Sequence, residues 1–173
     1  KGTHTSRTIM FSELSAALAA VPEGASREDY ATAIIEGNCL GKATSATRRL
    51  TNQRLGELYG LDRSIPIFRV LRRLWSTDAA GRSLLALQCA IARDPLLAAT
   101  VPPVLALPPG SELQRDAVKA VLQTIVEERL NDATLEKVIR NVASSWAQAG
   151  HLIGRTFKKR ALVRATPGSV AFG

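Results

Sequence analysis

Ile9, Phe11, Leu14, Leu18 and Val21 fall close to the three- and four-residue spacing of one helix face, which predicts a first helix over Thr8–Ala20, ended by Pro22-Glu23-Gly24. Ser26 with Asp29 three residues on reads as a capping box opening a second helix, whose apolar positions are Tyr30, Ile34 and Ile35. Gly37 and Gly41 bracket a turn. A third helix is expected from Thr44 or Ser45 to Tyr59, with Leu50, Leu55, Leu58 and Tyr59 turned inward and Gly60 as terminator. Ser64-Ile65-Pro66, read as a serine cap followed by a first-turn proline, opens a fourth, with Phe68, Leu71, Leu74 and Trp75 spaced for burial. From Arg82 to Ala92 the pattern is apolar almost all round, as expected of a central core helix.

Asp94-Pro95 starts a short helical piece. Val101-Pro102-Pro103 to Pro108-Pro109-Gly110 then reads as a rigid, extended hinge. Ser111 is expected to cap a long helix through Leu130. Asp132 is expected to cap another, with Leu135, Val138, Ile139, Val142 and Trp146 on its apolar stripe and a stop at Gly150. Residues 151–164 alternate short apolar runs with Gly154 and Lys158-Lys159-Arg160, a hairpin pattern rather than a helical one. Thr166-Pro167 resembles another helix start. The fold class is therefore all-α, with helical subdomains at 1–100 and 111–173 joined by the 101–110 hinge. The second subdomain has the helix, helix, hairpin order of a winged helix.

Charge sharpens this picture. Across 173 residues, 23 Lys and Arg stand against 15 Asp and Glu, a net +8. It is concentrated: residues 41–76 carry +6 and residues 151–173 carry +5, while 1–40 and 77–150 are slightly negative. Cations gathered in two blocks suit a polyanionic partner better than general solubilisation. The prolines and Arg93-Asp94 interrupt the longest apolar stretch, which leaves no membrane span. Cys39 and Cys89 lack paired spacing, so neither a disulfide framework nor a thiolate metal site is expected, and a reducing cytoplasm is the natural compartment.

Candidate nucleic-acid contacts follow from the two blocks. On the third helix, Lys42 leads into Arg48, Arg49 and Asn52; on the fourth, Arg69, Arg72 and Arg73 share an outer face. On the last long helix, Lys137, Asn141, Ser144 and Gln148 line up opposite the apolar stripe, where they could read base edges or hold phosphates. That row is also what any amphipathic helix displays. The hairpin adds Arg155, Lys158, Lys159, Arg160 and Arg164 without one acid, an array that repels itself unless a polyanion is near. Trp75 and Trp146 belong to apolar stripes, and the low aromatic content argues against stacking on single strands.

Catalytic chemistry is sparse. His4 falls in a segment expected to be disordered and His151 at a helix end; Gly37–Lys42 follows a helix without the spacing of a phosphate loop. Glu127-Glu128 beside Arg129 reads as a solvated helix face. No cofactor, metal or small-molecule substrate is expected.

Leu40-Gly41-Lys42, Thr44, Thr47, Arg54-Leu55 and Leu58-Tyr59-Gly60-Leu61-Asp62 resemble the BrxA family, as do Asp132–Lys137, Ser144-Ser145-Trp146, Gly150-His151-Leu152 and Thr166-Pro167. BrxA proteins are small components of bacterial BREX phage-defence systems. The resemblance implies an all-helical DNA-binding protein without enzymatic activity, working beside methyltransferase and ATPase partners. It also implies a further apolar helix after Gly173, so that 111–173 would be an incomplete domain. The charge pattern alone leaves two other readings open: a helical RNA-binding or antitermination-type factor, and a scaffold docking an acidic partner subunit.

Overall fold

A computed structural model describes residues 2–126 and 130–173. Its elements are a 3-10 turn (Thr3–Thr5), then α1 (Phe11–Ala20), α2 (Arg27–Ile35), α3 (Ser45–Tyr59), α4 (Pro66–Thr77), α5 (Arg82–Arg93), α6 (Pro95–Ala98) and α7 (Val101–Leu105). There follow α8 (Arg115–Val126), α9 (Asp132–Gln148), β1 (Leu152–Ile153), β2 (Lys159–Arg160) and α10 (Pro167–Phe172). The protein is thus mainly helical with one short hairpin, as the hydrophobic periodicity predicts. No single helix among the described residues is long and apolar enough to cross a membrane.

Local chemistry sets most boundaries where the sequence puts them. Ser26 Oγ accepts the Asp29 amide while the Asp29 carboxylate accepts the Ser26 amide, so the capping box of α2 is complete. Thr44 caps α3, and Gly60 ends it at φ +88°, where a Cβ would lie 2.8 Å from Ile65 Cδ1. α5 carries six buried residues and packs against α3, α4, α6, α9 and α10, which makes it the hub of the core.

Several boundaries differ from expectation, each for a stated reason. α1 begins at Phe11 rather than Thr8, because Met10 adopts the left-handed conformation (φ 53°) and residues before it are held against α9. α4 begins at Pro66 with Ile65 at the cap position; Ser64 instead donates its amide to Asp62 Oδ1. The expected extended hinge is helical over Val101–Leu105, since prolines in a first turn surrender only amides that a helix leaves unpaired. Asn131, not Asp132, caps α9, its Oδ1 accepting the Thr134 amide. Ser111 caps nothing: the Gly110 and Leu113 amides donate to Arg160 and Lys158 carbonyls, and α8 starts only at Arg115. The expected continuation of that helix through Glu127, Glu128 and Arg129 lies outside the described residues.

Apolar side chains from both sides of residues 101–110 share a single buried cluster, running from Ile9 through Leu85 and Leu97 to Val142 and Leu152. Trp146 is its largest member near α9, and its indole Nε1–H donates to Thr100 Oγ1 at 2.8 Å. α10 is docked by Asp78, whose carboxylate accepts from Thr166 Oγ1 and, at 2.9 Å, from the Gly168 amide. The Thr166 hydroxyl is the main reason the Asp78 carboxyl titrates below its ordinary range.

Candidate nucleic-acid interface

The hairpin is better supported than its two-residue strands suggest. β1 and β2 pair antiparallel, Leu152 opposite Arg160 and Ile153 opposite Lys159. On its other side β2 meets the chain before α8: Glu112 bridges Lys159, the Arg160 amide donates to Ser111 O at 2.8 Å, and the Leu113 amide donates to Lys158 O at 2.8 Å. The basic run is therefore the middle strand of three, its backbone held from both edges. The order strand segment, α8, α9, β1, β2, with the first segment paired to the last strand, is a winged-helix order.

The cations of this wing divide by what they touch. Arg160 is structural: its Nη1 donates to His151 O (3.2 Å), to the Ala161 carbonyl and to His151 Nδ1 (3.1 Å). Because a guanidinium only donates, His151 Nδ1 must accept, which puts the ring's proton on Nε2. Burial, then the neighbouring Arg160 charge, pulls His151 down to about 4. Arg155, Lys159 and Arg164 are exposed with no acid partner among the described residues, where Lys158 reaches the Gly154 carbonyl at 3.2 Å. Arg155 and Lys159 thus face solvent from the hairpin, with Lys158 half-buried beside them and Arg164 exposed beyond its last strand.

The α9 face expected to read bases is covered. Asn141 Nδ2 donates to His4 O at 2.8 Å, and Gln148 Oε1 accepts the Phe11 amide at 3.2 Å, so both hold the segment Gly2–Phe11 rather than a groove edge. Lys137 stays exposed, joined by Arg140, which the sequence reading passed over.

Beneath that segment lies an arrangement the sequence reading missed. His4, expected to be disordered, is fully buried: its Nδ1–H donates to Asp94 Oδ2 at 2.9 Å and its Nε2 pairs with Ser145 Oγ at 2.8 Å. Asp94 Oδ2 also accepts the His4 amide, and Oδ1 the Leu96 amide. Burial raises the Asp94 pKa, but the His4 contacts and these amides outweigh it and leave it below the ordinary value. The serine, histidine, aspartate order is that of a hydrolytic triad. Here Ser145 Oγ already donates to Asn141 O and accepts the Ile9 amide, and none of the three side chains is more than 2% exposed. The trio clamps residues 3–10 onto α9. One signal was available: Ser145 is a polar residue inside the apolar stripe of α9, between Val142 and Trp146.

The first basic block divides likewise. Lys42 is ion-paired with Glu13 at 2.9 Å; Arg48 donates to Ile35 O at 2.8 Å; Asn52 is buried, accepting from Arg27 Nη1 at 2.8 Å. Arg72 donates to the Leu18 and Val21 carbonyls at 2.9 and 2.8 Å, closing the end of α1. These side chains serve the fold. Arg49, Arg69 and Arg73 are exposed without acid partners among the described residues; Arg69 flanks a cavity of about 480 Å³ shared with Arg63, Arg72, Tyr30, Phe68 and Glu23.

Among the described residues no three metal-ligating side chains converge. Both cysteines are free, and burial pushes the Cys89 thiol up to about 12. Compared with protein-family models and with curated proteins, the chain matches none.

Proposed function

We propose that this chain is a non-catalytic nucleic-acid-binding protein that grips duplex DNA phosphates with its wing. The carrying observation is the set of cations Arg155, Lys158 and Lys159 on the hairpin and Arg164 just beyond it, in a segment with no acidic residue between His151 and Arg164. Arg49, Arg69, Arg73 and Lys137 offer secondary phosphate contacts. The resemblance to BrxA supports a role as a DNA-binding adapter in a phage-defence system of the BREX type, acting in the cytoplasm beside other components of that system.

With its Asn141 and Gln148 face covered, the chain binds with little sequence preference. Affinity for a 20-base-pair duplex, read by fluorescence anisotropy, falls with salt at a log–log slope of about −3.6 if four phosphates are neutralised. Lys158→Gln with Lys159→Gln halves that slope. Absence of binding at 50 mM salt sinks the proposal, and preference for structured RNA over duplex DNA redirects it to an RNA-binding factor.

A further inference from the structure

Phosphate binding does not explain the exposed apolar side chains of residues 151–164, Ile153, Phe157 and Leu162, of which Phe157 is the aromatic one. Phe157 is 66% exposed in the loop between β1 and β2, whereas Phe68 lies in the core and Phe11 and Phe172 pack against it. Its position is fixed by the backbone: Gly154 sits at φ +104°, and a Cβ there would come within 2.2 Å of the Phe157 carbonyl oxygen, so the loop closes this tightly only on glycine. Lys158 Nζ, donating to Gly154 O, ties the loop across. Ile153, 59% exposed, adds a second apolar side chain opposite Lys159 on the adjoining strand.

An exposed aromatic ring calls for an apolar partner, and the cations around it say which. Arg155, Lys158 and Lys159 flank Phe157 along the chain, and Glu112 bridges Lys159 from the neighbouring segment. The complement is a polyanionic surface with flat apolar material just beneath. A duplex base step takes that form once it is partly unstacked, with flat apolar base faces between two phosphate backbones.

We infer that Phe157 is a wedge: the wing lies in the minor groove of a duplex, its cations on the flanking phosphates, and the ring enters a base step, partly unstacking it and bending the helix away. This rests on the nucleic-acid reading above. The middle-strand position of Lys159 and Arg160 gives the wedge its rigid mount.

The test compares the wild-type chain with Phe157→Ala, Phe157→Leu and the Lys158→Gln, Lys159→Gln pair on 30-base-pair duplexes. Three readouts are used: anisotropy for affinity, 2-aminopurine emission for unstacking, and end-to-end energy transfer for bending. Wild type is expected to raise 2-aminopurine emission and to bend the duplex by 20° or more, the lower bound for side-chain wedges. Phe157→Ala loses both signals and binds about tenfold more weakly, the loss of one aromatic–base contact, with its salt slope unchanged. Phe157→Leu keeps part of each signal. The lysine pair lowers the slope. Wild-type binding with no unstacking or bending, or an alanine variant that unstacks and bends like wild type, overturns the wedge and leaves phosphate binding standing. Failure of every protein to bind at low salt overturns both. A Phe157-dependent change in the mass of the free protein assigns the ring to self-association and also overturns the wedge.

Discussion

Truncating His4 to alanine tests the clamp that seals residues 3–10 onto α9. The imidazole is fully buried and satisfies two groups, Asp94 Oδ2 and Ser145 Oγ. Without it Asp94 keeps the amides of residue 4 and Leu96, while Ser145 keeps the Ile9 amide and the Asn141 carbonyl. Leaving a buried acceptor short of one donor costs about 1–3 kcal/mol, and removing a fully buried ring also leaves a cavity. Together, with the surviving amide donors, these put the expected loss at roughly 3 kcal/mol. Asp94→Asn, which retains an acceptor oxygen, is expected to cost about 1–2 kcal/mol. Urea unfolding of His4→Ala, of Asp94→Ala and of the double alanine variant closes the cycle. The two alanine changes should fall short of additivity by more than about 1 kcal/mol, as for residues in one network. Hydrogen exchange should show the Ile9 and Phe11 amides opening first. A His4→Ala loss below about 1 kcal/mol, with additive doubles, refutes the clamp. Since Asp94 titrates below its ordinary range when folded, its contribution is complete above the unfolded carboxylate pKa and is lost as pH falls through the lower folded value.

Two further outcomes follow from the wing. His151, at about 4 when folded against an ordinary 6.5, makes stability fall as pH drops from 6.5 to 4, because only the unfolded chain takes up the proton. Allowing for solvent screening of a half-buried ring, the loss is about 1–2 kcal/mol; urea melts at pH 7, 5.5 and 4.5 should show it in wild type and a flatter profile in His151→Gln. Gly154→Ala forces a side chain into the left-handed region and against the Phe157 carbonyl, at a local cost of about 1–3 kcal/mol. Faster exchange of the Lys159 and Arg160 amides with an intact α5 is expected; an unaltered wing would show that the loop tolerates a Cβ.

Sequence reading was strongest where one residue type performs one local task. Ser26 with Asp29, Thr44 with Gly60, and the apolar run around Leu85 set α2, α3 and α5 by contacts a few residues apart. It was weakest where a residue's role depends on a distant partner. Nothing near Thr3-His4-Thr5 signals burial, since the partners of His4 lie 90 and 141 residues away. The α9 row from Lys137 to Gln148 was correctly polar, yet Asn141 and Gln148 are polar in order to receive backbone groups of Gly2–Phe11. Arginines carried the same ambiguity: Arg72 and Arg73 are adjacent in sequence, but one caps α1 and the other faces solvent. The wing fared better because its lack of acids is a local property, whereas its third strand at Glu112 depends on pairing across the fold.

The distance between His4 and Ser145 also bears on how the chain is made. At roughly 5–20 residues per second, about 7–28 s separate the synthesis of the two, and α9 must exist before residues 3–10 have anywhere to dock. During that interval Ile9 and Met10, both buried in the finished protein, are exposed to whatever waits beside the ribosome. Closure of the fold is therefore a late, long-range event. Residues 3–10 are made well before the helix that secures them.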